Sequence, residues 1–128
     1  MTGKITVGTI QDTDGNTVAS TYVTNGSAKA FAHFDVDAVL DNSLNMSSAT
    51  DNGVGLFTVT NTNPFAYVNF IVSGSVVGAT MTYYACYISA QGAAKTSSTA
   101  PISTYHLYDA IGIIDVHKMQ VVEHGDLA

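Results

Sequence analysis

Asp12, Asp14 and Asn16 occupy alternate positions, the spacing of the first oxygen ligands in a calcium loop. Such a loop also needs glycine at its sixth position and glutamate at its twelfth, where this chain has Thr17 and Val23. The triplet therefore reads as the polar tip of a hairpin. Asp35, Asp37 and Asp41 form a second acidic group, whose oxygens suit either a hard cation or a solvated loop. His33, His106, His117 and His124 could ligate a transition metal, yet no two of them have the close spacing of His-x-His. An oligomer that brought one histidine per chain to its axis would supply such a site. The only cysteine, Cys86, stands in an aromatic run, Tyr83 to Ile88, without a basic neighbour to lower its pKa. It reads as a buried, inert thiol.

Other catalytic patterns are incomplete. There is no Gly-x-Ser-x-Gly elbow for a serine nucleophile. Glycoside hydrolysis needs two facing carboxylates, and the chain holds a single glutamate, Glu123. No enzyme activity, metal or other cofactor is expected. The tyrosines carry a different chemistry, since their rings stack on partners and anchor interfaces. Tyr105, His106 and Tyr108, read as a loop after Pro101, together with Asp37, are the expected surface or receptor contacts. Tyr67, Tyr83 and Tyr87 are the expected oligomer interface; the alternative is that they fill half-buried strands.

Composition narrows the function further. The chain has 128 residues, a length that suits one domain. Charged residues make up 11%, with four lysines, no arginine and a net charge of −6. Nucleic-acid binding needs cations that displace counterions, and four scattered lysines do not provide them. Hydrophobic content of 46% is too high for charge-driven disorder. One cysteine excludes an internal disulfide scaffold. No basic region followed by an apolar stretch opens the chain, so no signal peptide is expected. Asn52 to Ala94 contains no charged residue, but Asn61, Thr62, Asn63, Pro64, Asn69 and Ser73–Ser75 interrupt every window long enough to cross a membrane. No membrane insertion is expected.

The elements that position these residues are strands. Turn signals recur at Asp14-Gly15, Asn25-Gly26, Asp51-Asn52-Gly53 with Gly55, Asn63-Pro64, Ser73-Gly74 and Gln91-Gly92. β-branched and aromatic runs lie between them, a rhythm that predicts an all-β antiparallel sandwich, jelly-roll-like, in a single domain. An N-terminal hairpin over residues 1–24 pairs Ile5–Ile10 with Thr17–Val23, and the sandwich proper covers 25–128. Strands are expected at Ala28–Val36, Ser43–Ala49, Gly55–Thr60, Phe65–Val72, Thr80–Ser89 and within Ala110–Val122. Phe65–Val72 and Thr80–Ser89 are apolar on both faces, and strands of that kind are covered on both faces. A second copy of the chain is one cover; the other is a central place in the sandwich.

Residues 27–70 carry a resemblance. They contain Ser27-Ala28-Lys29-Ala30-Phe31, Ser43-Leu44-Asn45-Met46-Ser47-Ser48, Thr50-Asp51-Asn52-Gly53-Val54-Gly55-Leu56-Phe57-Thr58-Val59, Pro64-Phe65 and Asn69-Phe70. This series resembles a small β domain of tailed-bacteriophage tail fibres and tail-associated virion proteins. Two departures stand out. The family's short Gly-Thr-Gly turn is here the longer, acidic Asp35-Val36-Asp37-Ala38-Val39-Leu40, and the C-terminal section carries His117, Lys118, Glu123 and His124 in place of a valine-rich strand. The resemblance implies a virion structural protein that forms a homo-oligomer, a trimer first of all. It would bind other virion proteins and a host surface glycan. A capsid decoration protein and a free carbohydrate-binding module are the alternatives.

Overall fold

The first hairpin is short, and the chain beyond it turns helical. The computed structural model describes residues 6–77, 84–87, 94–106 and 112–128. Strands β1 (Thr9–Gln11) and β2 (Thr17–Ala19) pair with Ile10 opposite Val18. The last rung is Ser20 N–H to Gly8 O at 2.9 Å. Past it, Thr21 to Val23 have no strand beside them among the described residues, which leave out Ile5 of the expected first strand, and helix α1 (Ser20–Gly26) satisfies their backbone groups locally. The expected second hairpin strand therefore stops at Ala19. Asn25-Gly26 ends a helix and is not a positive-φ turn.

Among the described residues nine further strands build two antiparallel sheets. The first contains β3 (Ala30–Asp35), β4 (Leu40–Leu44), β7 (Ile71–Val77) and β11 (Lys118–His124), in the order β4-β3-β11-β7. The second contains β5 (Met46–Gly53), β6 (Leu56–Asn61), β9 (Thr99–His106) and β10 (Gly112–Ile113), in the order β10-β9-β6-β5, with β8 (Tyr84–Tyr87) also on β9. Side-chain parity then makes the core. Ala30, Ala32 and Phe34 of β3, with Met119 and Val121 of the adjoining β11, face Phe57 and Val59 of β6 and Ala100 and Ile102 of β9. The Phe34 and Phe57 rings meet edge-on, 5.7 Å apart at 63°, and couple strands of opposite sheets. This is the all-β sandwich the turn rhythm predicts.

Within the sandwich, three more stretches differ from the sequence reading. Ser43–Ala49 is two strands, because Asn45 adopts φ 54° and passes the chain from one sheet to the other. Met46 is buried in consequence, whereas Leu44 stays half-exposed. Asparagine tolerates this left-handed conformation. Its side chain also staples the corner: Asn45 Oδ1 accepts from the N–H and Nδ2 of Asn63 at 2.8 and 3.0 Å.

Phe65–Val72 is a strand only from Ile71 onward. Phe65 and Phe70 leave the alternating pattern and stack on each other, 4.2 Å apart and 10° from parallel. Tyr67 and Val68 are therefore exposed, and this segment is not apolar-covered on both faces.

The third difference is the stretch after Pro101. It continues as β9, buried without a break from Ala100 through Thr104. Pro101 fits because alternate backbone groups of β9 point toward β6, those of Thr104 among them, as its N–H to Gly55 O bond shows. The Pro101 nitrogen points the other way, where β8 spans only Ser103 to His106.

Candidate interaction surfaces

The turn residues do backbone work. At the first hairpin Gly15 takes φ 87°, and Asp12 Oδ1 accepts from the N–H groups of Asp14 and Asn16, each at 2.9 Å. Asp12 Oδ2 accepts from Asn16 Nδ2 at 3.0 Å. The Asn16 amide, ahead of the backbone donors, holds the Asp12 carboxyl below the usual range. A cation at this tip would have to displace these donors. Asp51 Oδ1 likewise accepts from Gly53 N–H at 2.8 Å, and Asn52 Nδ2 donates to Thr58 Oγ1 at 2.9 Å. Gly55 is the most constrained position. It has φ 61°, donates its N–H to Asp115 Oδ1 at 2.6 Å, and lies against Ile113 and Ile114.

The second acidic group is split by its partners. Asp35 Oδ1 accepts from the N–H groups of Asp37 and Val39 at 3.1 and 2.9 Å and shapes the β3–β4 turn. Asp37 is exposed on that turn, where a surface contact requires it. Asp41 instead receives Lys118 Nζ and lies 3.6 Å from His33 Nδ1. The Lys118 hydrogen bond, first among its neighbours, holds the Asp41 carboxyl below its ordinary value. His33 and His124 stand on β3 and β11, while His117 is exposed just before β11. Among the described residues no three histidine, cysteine or acidic side chains gather as a metal site.

The contact residues are dispersed. Tyr105 lies within β9, half-buried, between Ile113 of β10 and Ala85 of β8, not in a loop. His106 ends the same strand. Tyr108 and Tyr83 lie outside the described residues. Tyr87 pairs with Ser103, and Cys86 with Thr104, in register on β8. Tyr67 stands apart from all of them in the β6–β7 connection, 71% exposed.

Two apolar surfaces, one exposed and one half-buried among the described residues, were not legible as such. Residues 6–26 add nothing to the core, and Val7, Ile10, Val18, Tyr22 and Val23 are all exposed there. The outer face of the β4-β3-β11-β7 sheet carries Leu44, Phe31 and Val122 in one cross-strand row. Beside it runs a polar row of Asn42, His33, Gln120 and Ser75.

Glu123 is the functional-looking residue whose surroundings the sequence does not give. It shares the inward parity of Met119 and Val121 on β11 and is fully buried. Burial pushes its carboxyl up, against the Asn61 hydrogen bond and the charge of Lys95.

Among the described residues no helix is long and apolar enough to cross a membrane. Comparison with known proteins finds no match to a family model, a curated protein or a solved structure.

Proposed function

We propose that the chain is a non-enzymatic structural module of a bacteriophage virion, tail-associated as a fibre, spike or adaptor component. It works by holding copies of itself and neighbouring virion proteins together, with a trimer as the first expectation. The observation that carries the assembly role is the N-terminal arm. An isolated two-stranded hairpin and a helix of seven residues are each marginal in water. Five exposed apolar side chains on such an arm are best stabilised by laying them on another surface. The row of Leu44, Phe31 and Val122 offers apolar area of that kind on a flat sheet.

The virion assignment is supported by the resemblance of residues 27–70 to tail-associated β domains. In that segment Asp51, Asn52, Gly53 and Gly55 shape backbone, and Phe57 and Val59 fill the core.

Light scattering of the full chain at micromolar concentration tests the assembly role. A trimer or larger species is expected, and Val18→Ser with Tyr22→Ser should dissociate it while the sandwich still melts cooperatively. A monomeric unaltered chain would overturn the assembly role. Labelled chain located on the tail of intact particles supports the placement, whereas a label on the shell would replace it with capsid decoration.

A further inference from the structure

The β6–β7 connection and the C-terminal residues close on each other beside the start of β7. Ala66 N–H donates to Asp126 O at 2.7 Å, and Ala128 N–H to Pro64 O at 3.0 Å. Phe65 and Leu127 form an isolated bridge between these bonds. Gly125 allows the closure: a Cβ there would stand 2.7 Å from Phe70 Cβ and 2.9 Å from Phe65 Cδ1. The result is an open recess of about 300 Å³, lined by Tyr67, Asn69, Phe70, Gly125 and Asp126. That volume is at the small end for ligand sites and matches one sugar ring rather than a peptide.

Its chemistry is selective. Tyr67 is 71% exposed although the adjoining Phe65 and Phe70 are buried, so its ring is not needed by the core. Asn69 and Asp126 are exposed beside it, and neither side chain has a partner among the described residues. An aromatic face, an amide and a carboxylate are the groups that hold a pyranose. The ring covers its C–H face, the amide donates and accepts, and the carboxylate accepts from hydroxyls. Lys95, the nearby cation, is already engaged: its Nζ donates to Phe70 O at 2.7 Å and sits 4.4 Å from the Phe70 ring centroid. The recess itself holds only a carboxylate, and the chain has a net charge of −6. Anionic sugars are therefore disfavoured.

We propose that this recess binds a neutral hexopyranose of a surface glycan, with Tyr67 as the stacking platform and Asn69 and Asp126 as the hydroxyl-binding groups. No residue of the exposed arm lines the recess, so it adds recognition to the assembly role without depending on it.

The test is amide chemical-shift titration of the full chain with methyl α-D-glucopyranoside, methyl α-D-mannopyranoside, methyl β-D-galactopyranoside and N-acetylglucosamine. Concentrations reach about 50 mM, beyond the millimolar Kd of a single sugar on a shallow site. At least one sugar should shift the amides of residues 67–70 and 125–126. Tyr67→Ala should weaken that binding about tenfold or more, and Tyr67→Phe should retain it. Absence of shifts with all four sugars overturns the proposal, as does unchanged binding by Tyr67→Ala. Equal or tighter binding of N-acetylneuraminic acid overturns the neutral class. A change of oligomeric state in Tyr67→Ala would make Tyr67 a subunit contact and also overturn the site. The arm variant Val18→Ser with Tyr22→Ser should bind sugar normally, which separates failure of the assembly role from failure of this one.

Discussion

Asn61 and Glu123 stand 62 positions apart in the chain, and the Asn61 amide donates to Glu123 Oε2 at 2.7 Å between the two sheets. Both residues are buried, and two acceptors of the pair, Glu123 Oε1 and Asn61 Oδ1, have no partner. An ionised carboxylate adds only acceptors to this place, whereas a proton on it adds the donor that the pair lacks. Desolvation thus raises the carboxyl's pKa more than the Asn61 amide and Lys95 lower it.

The pH dependence follows in sign. With the folded pKa above the unfolded one, the native state binds more protons between the two values. This group's contribution is most favourable below the unfolded carboxyl range and declines as pH rises through the folded pKa. Glu123→Gln keeps the shape and supplies an amide donor. It should stabilise the protein by about 1 kcal/mol near pH 8 and change it little near pH 4. Thermal melts at the two pH values measure this; a variant less stable at the higher pH would show that the ionised form is the stabilising one.

Gly55 and Gly53 separate two kinds of constraint. Both have positive φ, 61° and 123°, but an added Cβ meets open space at Gly53 and Ile113 Cγ2 at 2.5 Å at Gly55. Gly55→Ala should cost about 2–4 kcal/mol, from backbone strain plus overpacking, and Gly53→Ala about 1–2 from backbone strain alone. Denaturant melts of the pair read the difference, and the reverse ranking would contradict the packing of β10 against Gly55.

At the corner between sheets, Asn45 contributes a φ of 54° and three hydrogen bonds with Asn63. Asn45→Gly retains the backbone freedom and should lose about 1–2 kcal/mol, and Asn45→Ala about 1 more. Equal losses in the two variants would mean that the left-handed conformation carries no cost here.

Core truncation sets the scale for the others. Phe57→Ala removes the ring that meets Phe34 and should cost about 3–5 kcal/mol, a large fraction of a small domain's stability. Tyr67→Ala, at an exposed site, should stay within about 0.5 kcal/mol. Chemical denaturation checks both, and a large loss for Tyr67→Ala would place that ring in the fold rather than in a binding surface.

What the residues determine locally was legible. Asp14-Gly15 and Asp51-Asn52-Gly53 are turns because the carboxylates of Asp12 and Asp51 each accept from the N–H two residues on, and glycine admits positive φ. Phe57 and Val59 face inward because strand parity is a property of consecutive residues. The sandwich follows from several such runs. The tertiary structure alone decided the rest. Whether Leu44 and Met46 share a face depends on Asn63, eighteen positions beyond Asn45, which staples the corner. Whether Thr99–His106 is loop or buried strand depends on β6 and β8 lying on either side of it. Whether Glu123 is solvated or desolvated depends on Asn61 and the opposing sheet. Each is a contact between distant segments, and no short window of sequence contains both of its partners.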